Sequence, residues 1–167
     1  AKLSNGDFPW LTVADIDIAF SHARALRFNM VGELGWELHH PLEYQIGIYE
    51  ALAAAGEQFE IVDFGFKAYD TMRLEAGWPI WGADFNSSQT AISANLIRFV
   101  DPTKEGFIGR RAILDTEQPV PYRLVHISID VDGSTPEIGN LLFDGNDVVG
   151  YVHTSAYGPS VRSGIAF

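Results

Sequence analysis

From Arg123 to the C-terminus the chain breaks into short alternating or β-branched runs, RLVHISID, GNLLF, VVGYVHT and SGIAF, separated by Gly, Asp, Asn and Pro. Such runs suit half-buried strands, so the tail is expected to be all-β, with DGND at Asp144 to Asp147 closing a hairpin. Upstream the pattern changes. RALRFNMV alternates from Arg24, with Leu26, Phe28 and Met30 on one side and Arg27 and Asn29 on the other, the period-two mark of a half-buried strand. PLEYQIGIYEALAAAG then reads as a helix: Pro41 suits the first turn, Gly56 suits the C′ position, and Ile48, Tyr49, Leu52 and Ala53 make an apolar stripe. QFEIVDFG reads as another strand, with Asp63 capping a second helix through FKAYDTMRLEAG to Gly77. Strand, helix, strand, helix makes an α/β unit, and FIGRRAIL reads as a short helix before the β-rich tail. The boundary is placed near QPVPY, giving domains over residues 1–118 and 119–167, an α+β chain as a whole.

Composition narrows the function. The 167 residues are 47% hydrophobic, enough for a sizeable core. Eleven Lys and Arg oppose 22 Asp and Glu, a formal net charge of −11, and the cations are spread along the chain. A surface so charged repels phosphate backbones and anionic membranes, so neither nucleic acid nor membrane is expected as a partner. Cysteine is absent, which excludes disulfides, thiolate metal sites and cysteine nucleophiles. No apolar run is long enough to span a bilayer, and AKLSNGDFPW lacks a basic-then-apolar signal pattern, so a cytoplasmic protein is expected. The chain begins without Met and ends on SGIAF, an apolar run with no turn after it, which leads us to expect a piece of something longer.

Chemistry concentrates in two places. In VGELGWELHHP, Gly32 and Gly35 allow a sharp turn at the end of the RALRFNMV strand, and Glu33 projects from the loop. Glu33 is either a solvated loop acid, as most glutamates are, or the acceptor for a planar ligand edge carrying an amino group beside a ring N–H, as in pterins and guanines. Glu37, beside Trp36, reads as a strand or turn surface residue. On the second helix Phe66, Tyr69, Asp70 and Arg73 share one arc, so Asp70 and Arg73 can pair at i,i+3, either as a surface ion pair or as part of an aromatic-flanked anion or ring-stacking site. GWPIWGADF follows, where Trp78 and Trp81 are either core or walls of a flat-ring pocket. The five histidines show no metal spacing, and no GxSxG, GxGxxG or P-loop occurs.

Taken in order, GELGWELHHP, DFGFKAYDTMRLEAGWPIWGADF, FIGRRAIL, RLVHISI and VGYVHTSAYGPSVRSGIAF resemble the glycine cleavage T-protein (aminomethyltransferase) family over nearly the whole chain. The wording is closest to the tetrahydrofolate-binding C-terminal portions of dimethylglycine and sarcosine dehydrogenases. The resemblance implies part of a ring-like, three-part architecture with folate in a central channel. Residues 1–118 would be the second, ferredoxin-like half of the folate-binding core, and 119–167 the first part of an antiparallel β-barrel. It implies tetrahydrofolate as cofactor, with Glu33 on the pterin edge, Arg73 at the folate site and Trp81 beside it. Arg123 would link core and barrel, and Ser155 and Tyr157 would face the channel.

Two departures stand out. Met30 or Val31 stands near the place of a folate-contacting tyrosine, and the family's catalytic aspartate belongs to an upstream half with no counterpart here. No catalytic residue is therefore assigned. No flavin fingerprint occurs either. The resemblance leaves as partners the missing N-terminal half, a separate flavin domain or a self-dimer. The alternatives are a noncatalytic structural or interaction module and a folate-dependent tRNA-modifying relative, against which the net charge argues.

Overall fold

The computed structural model describes residues 3–116, 119–130 and 134–167. It divides into two units, Ala1–Asp70 and Thr71–Phe167. Among the described residues no helix is long and apolar enough to cross a membrane.

The first unit opens with a three-stranded antiparallel sheet in the order β1 (Val13–Ile18), β2 (Ser21–Leu26), β3 (Glu37–His39). β1 was not anticipated, although VADIDI alternates exposed Val13, Asp15 and Asp17 with half-buried Ala14, Ile16 and Ile18. β2 corrects the expected phase. Ser21, Ala23 and Ala25 face inward, Arg27 continues that side at 8% exposure, and Leu26, Phe28 and Met30 are only half-buried. A one-residue change of phase moves every side chain to the other face. What carries Arg27 inward is the ladder, which runs past the strand end through Arg27 N–H to Thr12 O at 3.0 Å and Leu11 N–H to Arg27 O at 3.1 Å.

Helix α1 (Gln45–Gly56) forms where expected, entered through a 3-10 turn at Leu42–Tyr44. Of its apolar stripe only Ile48 is buried, while Tyr49 and Leu52 stay exposed. Gly56 is not the C′ residue: its φ of −82° is still right-handed, a further 3-10 turn at Glu57–Phe59 follows, and the left-handed residue is Glu60. Glycine is needed at position 56 for space, because an added Cβ would stand 2.6 Å from Ile61 Cγ2. QFEIVDFG is accordingly not a strand; its first part winds into that turn and Ile61 N–H returns to Gly56 O at 3.2 Å. Nor does Asp63 cap the next helix, since its carboxylate accepts the Tyr49 hydroxyl. Helix α2 (Phe66–Glu75) starts instead from Gly65, whose carbonyl takes the N–H groups of Ala68 and Tyr69. The strand–helix–strand–helix unit is thus replaced by an antiparallel sheet followed by helices.

The second unit begins in the last turn of α2. That helix stops as the sequence indicates: Gly77 takes φ +69°, its N–H bonds to Leu74 O, and Trp78 N–H bonds to Arg73 O at 2.9 Å, a Schellman closure. Helix α3 (Arg110–Leu114) lies within FIGRRAIL. Five strands follow: β4 (Ile127–Ile129), β5 (Leu141–Asp144), β6 (Asp147–Tyr151), β7 (Ser155–Gly158) and β8 (Ser163–Ala166). The hairpin falls at DGND, with Gly145 at φ +60° between β5 and β6. RLVHISID contributes only the three residues of β4, whereas SGIAF supplies β8, the central strand of the sheet β4-β8-β7. Leu74, Ile165 and Phe167 form the core here, with Leu124 and Ala156 packed against them. The boundary expected at 118/119 falls inside this unit, beside residues 117–118, which lie outside the described residues. The chain is a mixed α/β fold with antiparallel sheets.

Candidate functional site

The end of β2 builds the first site. Arg27 Nη1 donates to Phe8 O and Nη2 to Asn5 Oδ1, and the guanidinium lies 5.8 Å from the centroid of the Trp36 ring, which tilts against Phe8. Two residues on, Asn29 ties the loop: its Oδ1 accepts Val31 N–H at 2.9 Å and its Nδ2 donates to Glu33 O. Gly32 at φ +78° makes the turn, and Gly35 leaves room for Asn29, because an added Cβ would stand 3.0 Å from Asn29 Nδ2. The strand end and loop wall a cavity of about 650 Å³ together with Asn5 and Trp10.

Glu33 borders that cavity, exposed, and among the described residues its carboxylate has no hydrogen-bond or ion partner. A charged acceptor with no protein donor, on a loop held by side-chain bonds, can take two N–H groups from a ligand edge. Glu37 does something else: it sits on β3, 3.5 Å from His39 Nε2. Sequence reasoning missed Arg27, which had been placed on the polar side of the strand. The signal present was the pair of small residues Ala23 and Ala25, which mark the same inward phase two and four residues earlier.

In the second unit Arg73 is 1% exposed and ion-paired to Asp84, itself 0% exposed; Asp84 also accepts Ile80 N–H at 2.7 Å and the Thr154 hydroxyl. Arg73 further donates to Trp78 O at 3.2 Å. The pair therefore fixes the loop from Trp78 to Asp84. Trp81 stands on that loop, 63% exposed and edge-on to Phe85 at 5.5 Å. Trp78 instead stacks on Phe99 under Arg98. Arg123 is exposed and borders a second cavity of about 650 Å³ with Tyr122, Tyr151, His153 and Phe167. Tyr157 lies on β7, 40% exposed, and Ser155 on the same strand donates to Pro136 O. Asp84 had not been singled out; nothing in the local pattern names a partner eleven residues from Arg73. Among the described residues no group of three or more His, Asp or Glu could hold a metal ion.

The GCVT N-terminal domain family matches residues 1–104. Curated relatives include the mitochondrial dimethylglycine dehydrogenase of Mus musculus, 32% identical over 99% of this chain and 19% of its own length. Mus musculus mitochondrial sarcosine dehydrogenase is 33% identical over 100% of this chain and 18% of its own. An aminomethyltransferase of Streptomyces coelicolor is 32% identical over 98% of this chain and 48% of its own. The chain thus spans under a fifth of these dehydrogenases and about half of the transferase. Among solved structures, the glycine cleavage system aminomethyltransferase T from Bartonella henselae superposes with a TM-score of 0.76 at 24% identity, covering 94% of this chain and 43% of that one. That likeness establishes a shared fold. With the family match covering more than half of its residues, the chain belongs to the glycine cleavage T-protein family as an aminomethyltransferase-like domain.

Proposed function

We propose that this chain forms the pterin-orienting part of a tetrahydrofolate site serving one-carbon transfer from an amino- or methyl-bearing donor. The observation that carries the reading is Glu33: a carboxylate without a protein partner among the described residues, on a loop tied by Asn29, at the rim of a cavity that also holds a buried guanidinium. The donor set fits a pterin, whose amino group and neighbouring ring N–H need one acceptor with two oxygens. Bound tetrahydrofolate supplies N5, the atom that receives the one-carbon unit. Glu33 fixes the ring's orientation, and orientation of this kind supplies much of the acceleration in a two-reactant transfer. Trp81 offers an exposed ring face, and Arg73 acts through the loop that its pairing with Asp84 holds. Arg123 joins core to barrel, and Ser155 and Tyr157 border the channel. At the finer level of fold, the reading includes a ferredoxin-like half core and a partial barrel.

Isothermal titration with tetrahydrofolate, on the chain and on Glu33→Ala, tests the site. Saturable binding that weakens about tenfold or more in the variant is expected, since a lost charged acceptor leaves two ligand N–H groups unpaired. A folded sample with no saturable binding would sink the assignment.

A second reading, a noncatalytic interaction module, is favoured by one observation: along α1, Ile46 is 74%, Tyr49 53% and Leu52 41% exposed. Apolar rows of that kind mark contact surfaces. It predicts self-association in gel filtration without folate binding, the opposite pairing of results from the first reading.

A further inference from the structure

Arg27 is the buried charge of the first unit that the proposed role of Glu33 leaves unused. At 8% exposure it has lost nearly all its hydration, yet among the described residues no carboxylate lies within ion-pair distance of it. Its partners are two neutral oxygens, Phe8 O and Asn5 Oδ1, and the face of Trp36. A guanidinium carries five N–H donors. Two are accounted for, and the remaining three have no acceptor among the described residues. Among the described residues the one buried side-chain polar atom without a partner is Trp36 Nε1, so the remaining Arg27 donors are open rather than sealed and can be taken by a ligand oxygen. Arg27 borders the same cavity as Glu33, one strand end away.

A cavity with an anionic acceptor at one point and a cationic donor at another selects a ligand edge with the complementary order. The 2-amino-4-oxo edge of a pterin has that order: amino N–H, ring N–H, then an oxo oxygen. We infer that Arg27 donates to the oxo group of the ring whose N–H groups Glu33 accepts, and so sets the specificity of the site for 4-oxo pterins. This rests on the folate reading above and adds to it a specificity residue and the atom it reads. A role confined to holding Phe8 and Asn5 in place predicts no dependence on that atom.

The probe pair that isolates it is 2-amino-4-oxo-tetrahydropteridine and its 4-thioxo analogue, which keeps both N–H donors for Glu33 and substitutes a weaker acceptor at position 4. Titration of each into the full chain, Arg27→Met, Arg27→Lys and Glu33→Ala gives affinity ratios. The chain is expected to prefer the oxo compound about tenfold or more, because a site built to donate a hydrogen bond discriminates strongly against a poor acceptor. In Arg27→Met the preference should fall close to one, in Arg27→Lys it should be partly retained, and in Glu33→Ala both affinities should fall with the ratio kept. A ratio near one in the unsubstituted chain overturns the inference while leaving folate binding intact, and it does so even where the Arg27 variants fail to fold. A preference that persists undiminished in a folded Arg27→Met also overturns it, since sulfur's size and not the donor would then be sensed. If neither probe binds the folded chain, the folate reading and this inference fall together.

Discussion

Asp84 takes the guanidinium of Arg73 on one carboxylate oxygen and the hydroxyl of Thr154 on the other, and both members of the ion pair are closed to solvent. The pair ties the last turn of α2 to the loop from Trp78 to Asp84 and to the approach to β7. Removing the Arg73 guanidinium strands the charge of the Asp84 carboxylate in a site closed to solvent, which typically costs about 3–5 kcal/mol. Arg73→Met is expected to lose stability in that range in urea unfolding. The double variant Arg73→Met/Asp84→Leu should lose clearly less than the sum of the single changes, because no orphan charge remains. Additive losses would mean that the two side chains do not depend on each other.

Two glycines of α1 make a matched comparison. An added Cβ at Gly47 meets nothing within 4 Å, so Gly47→Ala should stabilise by about 0.5–1 kcal/mol through helix propensity alone. At Gly56 the same methyl would stand 2.6 Å from Ile61 Cγ2 and 2.7 Å from Ile61 Cβ, forcing the following turn to shift. There the propensity gain should be cancelled or reversed, with a net loss of about 1 kcal/mol. Thermal melts followed by far-UV circular dichroism separate the cases, and equal stabilisation by both would contradict the packing described.

How much of this was legible depends on whether the information was local. α1, the stop at Gly77, the DGND hairpin and the SGIAF strand were read correctly because helix period, turn residues and alternation are written within each segment. QFEIVDFG misled because its β-branched and aromatic content suits a strand, while the outcome was decided by Ile61 folding back on Gly56. The phase of β2 misled for a related reason. Larger side chains at Leu26, Phe28 and Met30 outweighed Ala23 and Ala25 in the pattern, yet the smaller residues mark the inward face. The placement of Glu33 on an exposed turn was visible from its glycines, whereas the contacts of Arg27 and Asp84 come from partners far along the chain, Asn5 and Phe8 for one and Thr154 for the other.

Tyr49 and Asp63 give a pH-dependent contact. The phenol donates to Asp63 Oδ2 at 2.5 Å, and this bond, then the carboxylate's charge, raises the Tyr49 pKa above its usual 10.0. The protonated phenol is the form favoured by folding. Its contribution is therefore complete below about pH 10 and is lost as pH rises through the higher folded value. Of the six tyrosines, Tyr49 should ionise late in an alkaline absorbance titration, identified by the step missing in Tyr49→Phe. Asp63→Asn should bring that step down towards the ordinary phenol value. An unchanged step would show that the bond does not form in solution.

Glu33 and Asn29 serve the same loop in separable ways. The Glu33 carboxylate is exposed and unpartnered among the described residues, so Glu33→Gln should leave stability within about 0.5 kcal/mol of the unsubstituted chain. An amide nevertheless replaces one acceptor oxygen by an N–H₂ group that would face a ligand donor, so tetrahydrofolate affinity should fall about tenfold or more. Asn29→Ala removes the acceptor of Val31 N–H and the donor to Glu33 O, the two bonds that shape the turn. Its effect should appear without ligand, as faster hydrogen exchange at the Val31 amide, and in affinity only because Glu33 is no longer held in one place. Measuring exchange and affinity on both variants separates the acceptor from its support. Unchanged Val31 exchange in Asn29→Ala would show that the loop is shaped by something other than Asn29.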